Sequence, residues 1–267
     1  METSKLNWLI SPALFWTLSF LILTPFFIWT YLTETMNSNT LNTFSKKSIL
    51  IIIAHPDDEC MFFSPTIQSL SKISKVHLLC LSIGNDQGLG SKRQLELESS
   101  CKILGINNFK CLDDSKLPDS MTIQWSNKDI VKHIKTYMKS HQIDQLITFD
   151  DYGVSGHTNH ISIYHAVSDA IDQGIFKQKL YTLQSVPIMI KYSFLFGAFW
   201  TKLNAKEDST RIWFISTVTE YINGRLAMYQ HESQMVWFRH LYLFTSRYMI
   251  LNELHVYQGN SSKMTSN

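Results

Sequence analysis

The sequence has little of what marks disulfide-rich proteins, nucleic-acid binders or dinucleotide enzymes. Its 267 residues include four cysteines without a C-x-x-C spacing, so neither a disulfide miniprotein, nor a zinc knuckle, nor a redox pair is indicated. The formal net charge is only +2, from 24 Lys and Arg against 22 Asp and Glu, which argues against a nucleic-acid partner. No G-x-G-x-x-G follows the first apolar run, so a dinucleotide site has no support.

Charge is absent from one long stretch near the amino terminus. Residues 8–32 are 25 residues without a charge, 18 of them hydrophobic, and the mean hydropathy of −0.06 conceals this segment. As a helix it would span roughly 37 Å, more than a hydrocarbon core of about 30 Å. A cleaved signal peptide would need a small-x-small site, which residues 31–35 do not offer, and a buried core helix is rarely apolar all round for so long. We therefore predict a membrane anchor at 1–32 and a polar linker at 33–48.

The remainder, with a domain predicted at 49–258 and a tail at 259–267, alternates apolar runs with helical patterns. Runs typical of buried strands occur at 49–54, 76–83, 109–112, 145–149 and, less clearly, 180–185. Helical patterns lie between them at 64–74, 91–104, 129–140 and 157–173. This order predicts an α/β fold with a mostly parallel sheet and helices on both faces.

The first apolar run is followed by His55-Pro56-Asp57-Asp58-Glu59. In a parallel sheet the carboxyl ends of the strands form the ligand crevice, and this cluster falls there. One interpretation is a helix start, with Asp57 as N-cap and the next two acids in the positive first turn. Because three adjacent carboxylates beside apolar walls raise one another's pKa, a bound metal is the alternative interpretation.

A second cluster follows the apolar run at 145–149. His157 and His160 are three residues apart at the start of a predicted helix, after a segment containing Gly153 and Gly156. An H-x-x-H alone is a weak signal, but two such clusters at the ends of two strands are a much rarer coincidence. Two histidines and a carboxylate suit Zn²⁺ with one position left for water.

From about residue 48 to 257 the chain resembles the LmbE-like zinc deacetylases, and within them the N-acetylglucosaminyl-phosphatidylinositol de-N-acetylases of glycosylphosphatidylinositol (GPI) anchor biosynthesis. The resemblance rests on HPDDE, on S-x-G-N-x-x-G-L-G at 82–90 with Arg93 and Glu96, and on T-F-D at 148–150 leading to G-V-S-G-H-T-N-H at 153–160. It also includes H-E-S-Q at 231–234, W-F-R at 237–239 and S-R-Y-M at 246–249. It implies a Rossmann-like fold.

The resemblance also implies roles for individual residues. His55, Asp58 and His160 would ligate zinc, although the same ligands accept other divalent metals. Asp57 would be the general base, and His157, as an imidazolium, would stabilise the oxyanion or protonate the leaving amine. Arg93 and Asp113 are expected to bind substrate. A solvated helix Arg paired with Glu96, and a helix-capping role for Asp113, are the alternatives.

The implied activity is removal of the N-acetyl group of the membrane glycolipid, the second step of GPI-anchor biosynthesis, at the endoplasmic reticulum with the domain facing the cytosol. Lys5 on one side of the anchor and Lys46 and Lys47 on the other leave the orientation open on charge alone. A deacetylase of another N-acetylglucosaminide and a non-catalytic glycolipid-binding protein are the alternatives. The partners expected are the glycolipid and the bilayer, and the sequence identifies no protein partner.

Aromatic residues dominate the carboxyl-terminal third. Residues 188–203 are apolar but carry Lys191 and Lys202, so they are too short and too charged to span a bilayer. An interfacial helix beside the site and an ordinary core helix are equally compatible with this segment.

Overall fold

The computed structural model describes residues 12–34, 43–205 and 210–259. The start of the predicted anchor (1–11), most of the linker (35–42) and most of the tail (260–267) therefore lie outside the described residues. Helix α1, Pro12–Glu34, carries no acid or base in its terminal turns apart from Glu34 itself. In the described part of the chain it is the one helix long and apolar enough to cross a membrane, by length and composition.

A seven-stranded sheet forms the centre of the molecule, in the order β3-β2-β1-β4-β5-β7-β6. The strands are β1 (Ser48–Ile53), β2 (Lys75–Cys80), β3 (Asn108–Cys111), β4 (Gln145–Phe149), β5 (Lys179–Leu183), β6 (Arg211–Ile215) and β7 (Leu251–Val256). Strands β1 to β5 pair in parallel, whereas β7 pairs antiparallel with both β5 and β6. The predicted mostly parallel α/β sheet is confirmed.

The helices cover both faces of this sheet. After α1 they are α2 (Asp58–Met61), α3 (Ser64–Ser71), α4 (Gly90–Leu104), α5 (Asn127–Ser140), α6 (Gly153–Gly156), α7 (Thr158–Asp172), α8 (Ile188–Lys191), α9 (Phe194–Leu203), α10 (Val218–Gln230) and α11 (Trp237–Thr245). Two short 3₁₀ helices, Glu232–Gln234 and Arg247–Met249, flank α11.

Strand β1 shows why the sheet is covered on both sides. Ile49, Ile51 and Ile53 enter one hydrophobic core, and Leu50 and Ile52 enter the other. Since successive side chains of a strand point to opposite faces, a continuous aliphatic run needs helices on both. Residues of α5 and α7 belong to the second core, whereas α3, α4, α9, α10 and α11 contribute to the first.

The sequence did not predict β6 and β7. Both lie in the aromatic third, and β7 carries Asn252, Glu253 and His255 among its apolar residues. Asn252 is fully buried, and its side-chain amide is satisfied by two hydrogen bonds of 2.8 Å. Its Nδ2 donates to the Phe62 carbonyl, and its Oδ1 accepts from the Thr66 hydroxyl. These contacts tie the antiparallel edge to the segment that follows HPDDE.

Candidate active site and metal centre

A cavity of about 540 Å³ opens at the carboxyl ends of the parallel strands. HPDDE follows β1 at its floor, and the H-x-x-H helix α7 follows β4 beside it. The lining residues are His55, Asp57, Asp58, Met61, Phe62, Arg93, Asp119, Ser155, His157, His160, Lys191, Tyr192, Gln234, Trp237, Phe238, Arg239, Leu241, Tyr242 and Thr245. The structure thus brings together the two clusters that the sequence placed at strand ends.

The three predicted metal ligands form one buried group. Oxygen or nitrogen atoms of His55, Asp58 and His160 all lie within 4.8 Å of one another. Asp58 Oδ2 accepts hydrogen bonds from the backbone amides of Ala54 (3.0 Å) and His55 (2.9 Å). Its Oδ1 lies 3.2 Å from His160 Nε2. The carboxylate is therefore fixed by the turn after β1 and aimed at the histidine from α7.

His160 and His55 each form a hydrogen bond through the ring nitrogen that faces away from Asp58, and these bonds set the histidine tautomers. His160 Nδ1 donates to the Gly153 carbonyl at 3.0 Å, and the ring stacks on Phe149 with 3.9 Å between centroids. His55 Nε2 donates to Asn159 Oδ1 at 3.0 Å, because the same oxygen also accepts from the Ser120 amide. Each ring thus turns its other nitrogen toward Asp58.

This donor set fits a divalent metal. His160 Nε2 is buried without an aligned hydrogen-bond partner, which is costly unless a ligand uses its lone pair. Two neutral imidazoles and one carboxylate are the protein ligands of many catalytic zinc sites. The three residues would hold the ion, and the open side of the group faces the cavity lined by Asp57 and His157.

Gly153 supports His160 through its backbone. Its φ is +63°, and a Cβ at this position would lie 2.7 Å from His160 Cβ. A larger residue would therefore strain the turn and displace the ring. Asp150 holds the same turn, since its Oδ1 accepts from the Gly153 amide at 2.9 Å and from the Ser185 hydroxyl at 2.6 Å.

Asp57 occupies the N-cap position of α2 but does not cap it, because its side chain makes no hydrogen bond to the helix. Its backbone is left-handed, with φ +112°, a conformation that costs a non-glycine residue about 1–3 kcal/mol. The carboxylate instead bonds the guanidinium of Arg239 and lies 3.6 Å from that of Arg93. A strained residue whose carboxylate faces a cavity is typical of a functional position.

Arg93 is buried, and its guanidinium is engaged by the protein. It donates to the carbonyls of Gly84 and Pro56 at 2.8 Å each and to Asp119 at 3.0 Å. A Cβ on Gly84 would lie 2.3 Å from this guanidinium, so glycine is required there. These contacts are those of a residue that positions the HPDDE turn, whereas the substrate-binding role expected from the sequence stays a prediction.

The structure does not bring Asp113 to the site. It is exposed, two residues after the end of β3, and is absent from the cavity lining. Asp119, in the following loop, takes that place: it lies 3.2 Å from His55 Nε2 and 3.0 Å from Arg93. The sequence offered no signal for Asp119, since no periodic element surrounds it.

His157 is the N-cap of α7, and its Nδ1 accepts the backbone N–H of Asn159 at 3.2 Å. Nε2 must then carry the proton of the neutral ring. Burial, followed by the proximity of His160 and His55, lowers the pKa of His157 to about 4. The expected imidazolium is therefore corrected to a neutral N–H donor.

Glu59 and His231 form a fully buried ion pair at 2.7 Å. Burial opposes protonation of His231, but the charge and hydrogen bond of Glu59, together with the charges of Asp57 and Glu96, outweigh it, so the pKa of His231 is raised. Glu59 Oε2 also accepts the backbone N–H of Asp57 at 3.0 Å, which holds the left-handed turn. From the sequence, Glu59 was predicted to be an acid in the first turn of a helix. In the structure, its ion pair with His231 also links the HPDDE turn to the carboxyl-terminal third.

The three acids therefore do not crowd one another. Asp57 faces arginines, Asp58 faces histidines, and Glu59 pairs with His231. The argument that three like charges require a metal was thus wrong in its premise. The support for a metal comes from the orientation of the imidazole nitrogens.

Comparison with known proteins gives three consistent findings. A family model described as PIG-L, GlcNAc-PI de-N-acetylase, matches residues 50–171. A curated Dictyostelium discoideum protein, "Probable N-acetylglucosaminyl-phosphatidylinositol de-N-acetylase", is 36% identical over 250 residues, covering 82% of this chain and 97% of its own. The N-acetylglucosaminyl-phosphatidylinositol de-N-acetylase of Bos taurus is 36% identical over 211 residues, covering 77% and 82%.

A solved structure shares the fold. The N,N'-diacetylchitobiose deacetylase of Pyrococcus horikoshii superposes with a TM-score of 0.52, covering 89% of this chain and 95% of that one, at 17% identity. At this identity the likeness concerns the fold alone.

Proposed function

The chain belongs to the family of N-acetylglucosaminyl-phosphatidylinositol de-N-acetylases and is thus an amide-hydrolysing deacetylase, and we propose that N-acetylglucosaminyl-phosphatidylinositol is its substrate. The observation that carries the proposal is the cavity itself. At its floor His55, Asp58 and His160 are buried with their nitrogen and oxygen atoms within 4.8 Å of one another, and Asp57 lies beside them. Its rim is apolar and aromatic, as a lipid-linked sugar requires.

We propose that zinc is the metal held by His55, Asp58 and His160. The nitrogen-rich, buried donor set supports this choice over Mg²⁺ or Ca²⁺, which prefer oxygen ligands. When bound, such an ion supplies Lewis-acid polarisation of the acetamide carbonyl and lowers the pKa of a water molecule.

The remaining steps are assigned to the side chains around this group. Asp57 accepts a proton from the attacking water and returns it to the leaving nitrogen, so that water and amide give acetate and a free amine. The Nε2–H of His157 donates a hydrogen bond to the oxygen that gains negative charge. Arg93 and Arg239 hold the Asp57 carboxylate in place from two sides.

The proposed setting is the endoplasmic reticulum membrane, with α1 as the single span and the domain on the cytosolic side. The length and composition of α1 support the span. All four cysteines are free, and Cys60, Cys80 and Cys101 are buried, as expected in a reducing compartment. In this setting the reaction would be the second step of GPI-anchor biosynthesis.

The test uses the full chain, purified in detergent and reconstituted with the glycolipid. Metal content and acetate release are measured for wild type, Asp57→Asn and a matched control, Asp151→Asn, which replaces an exposed carboxylate. We expect one equivalent of metal in all three and a loss of about 10³-fold in turnover for Asp57→Asn alone. Stoichiometric metal without acetate release by the wild type would instead favour the glycolipid-binding alternative.

A further inference from the structure

Helix α1 leaves the body of the protein at a defined place. Its last turns pack on the body, where Leu32 is fully buried and the Trp29 indole donates to the Ser216 carbonyl at 2.8 Å. The Trp29 ring also contacts Phe194 of α9 and Tyr221 of α10, at 6.1 and 5.4 Å between centroids. The exposed apolar part of α1 therefore begins beside α9 and α10.

Helices α9 and α10 turn apolar faces outward at this place. Leu195 and Ala198 of α9 are buried in the core. One side of this helix is therefore an ordinary core helix, which was one of the two interpretations of residues 188–203. Its other side, and one stripe of α10, are between 47% and 60% exposed. The exposed residues are Phe196, Trp200, Leu203, Val218, Ile222 and Leu226.

Helix α11 carries apolar side chains on its outer face as well as on its buried side, where Tyr242 and Leu243 pack. Arg239 points inward, to Asp57 in the cavity. Trp237 (77% exposed), Phe238, Leu241 and Phe244 point outward. An outer face with this composition is expected to meet something other than water.

The three faces form one surface. The Arg225 guanidinium of α10 lies 4.1 Å from the ring centroid of Phe244 in α11. Tyr192, just before α9, contacts Tyr242 of α11, with 6.2 Å between the rings. We call the exposed apolar residues of α9, α10 and α11 named above the collar. Trp237, Phe238 and Leu241 belong both to the collar and to the wall of the cavity.

We propose that the collar docks the catalytic body onto the lipid bilayer, so that the cavity opens at the membrane surface. The place where α1 leaves the body supports a bilayer over other occupants, since a spanning α1 holds α9 and α10 at the membrane. The composition of the collar also suits the interface between the lipid headgroups and the acyl chains. It combines tryptophan and phenylalanine with a cationic group, since the Arg225 guanidinium stacks on the Phe244 ring. Docking is independent of the chemistry, and only the entry of a lipid-linked substrate rests on the proposed function.

The docking test uses the full chain in nanodiscs of phosphatidylcholine and phosphatidylinositol, with one chain per disc. In a Cys111→Ser background the other cysteines are buried, so a single cysteine at Trp200, Ile222 or Phe238 can be labelled with an environment-sensitive dye. The matched controls are Ile175→Cys and Lys139→Cys, both exposed on the opposite side of the sheet. Quenching by doxyl-labelled lipid and by aqueous iodide is then compared.

We expect the collar labels to be quenched by doxyl lipid several-fold more than the controls, and the controls to be quenched by iodide. Equal iodide quenching at both sets would overturn the proposal. Protection of collar labels from iodide without quenching by lipid would also overturn it, because a protein surface would then cover the collar.

A kinetic arm separates docking from the proposed function. Trp200→Ser with Ile222→Ser is expected to raise KM for glycolipid in vesicles at least tenfold and to leave the turnover of a short-chain, water-soluble analogue unchanged. Ile175→Ser is the control. Unchanged KM in vesicles would contradict substrate entry from the membrane. A wild type inactive on both substrates would refute the proposed function, while the quenching result still decides whether the body docks.

Discussion

The parallel half of the sheet and the carboxyl-terminal third make different contributions to one cavity. HPDDE follows strand β1 and H-x-x-H follows β4, and these two motifs contain the three metal ligands that we assign, His55, Asp58 and His160. The carboxyl-terminal third supplies Lys191, Arg239 and His231, which contact the HPDDE turn or close the cavity. The chemistry therefore belongs to the parallel strands, whereas orientation and access belong to the later helices.

Their environments differ as well. In the parallel half the HPDDE side chains follow β1, whose residues 49–53 are all aliphatic and buried. In the later third, buried polar groups connect distant segments, as Asn252 does with Phe62 and His231 with Glu59. Burial lowers the pKa of Lys191 at the cavity wall, where its amino group lies 3.4 Å from the Val154 carbonyl. If this division is correct, substitutions in the parallel half will remove the metal and the activity, whereas substitutions in the later third will reduce stability or turnover and leave the metal bound.

The largest effect is expected for His160→Ala, in the parallel half. Loss of a ligand should empty the site and lower turnover at least about 10⁴-fold, because the metal and the residues around it act as a unit. Metal analysis and acetate release measure the two quantities. His165→Ala, five residues later on the same helix, is the control. Full metal content in His160→Ala would contradict the assigned ligand set.

Glu59→Ala tests the link between the regions. It leaves His231, Ser100 and the Asp57 amide without their buried acceptor, so we expect a loss of about 3–5 kcal/mol in unfolding free energy. Glu98→Ala, an exposed acid paired with Lys102, should cost less than about 1 kcal/mol. Denaturant titration of the two variants measures the difference.

The same pair predicts a pH dependence. The pKa of His231 is raised above its usual 6.5, so its contribution to stability is complete below about that pH and is lost as pH rises through the raised value. The gap between wild type and Glu59→Ala should therefore narrow at alkaline pH. A gap that widens with pH would show that His231 is neutral in the folded protein.

Arg239→Gln tests whether the later third orients the site. Without this partner the Asp57 carboxylate loses one of two guanidinium contacts, and misplacement of such a group costs about 100-fold in turnover. Metal content should stay at one equivalent, since Arg239 contacts no ligand that we assign. His240→Gln, exposed on the same helix, is the control. An equal loss of metal would place Arg239 in the metal site and weaken the division.

Much of the fold could be predicted, because the aliphatic run of β1 and its helices follow regular periods. The two clusters at strand ends were also predictable, since parallel strands bring their carboxyl ends to one edge. Strands β6 and β7 were not, because Asn252 and Glu253 are buried by partners that only the fold brings near. Arg239 belongs to the W-F-R motif, but the sequence did not reveal that it contacts Asp57. Asp119 lies in a loop whose path no periodicity predicts.

The smallest effect separates Asp119 from Asp113, the residue that the sequence favoured. Asp119 lies 3.2 Å from His55 Nε2 and binds Arg93, so Asp119→Asn should weaken the positioning of the His55 ligand and reduce turnover about tenfold, the lower end of the effect of such outer partners. Asp113→Asn changes an exposed carboxylate outside the cavity and should keep wild-type turnover. Acetate release and metal affinity measure both. The reverse result would mean that the loop after β3 closes over bound substrate and brings Asp113 in, so that the parallel half would also control access.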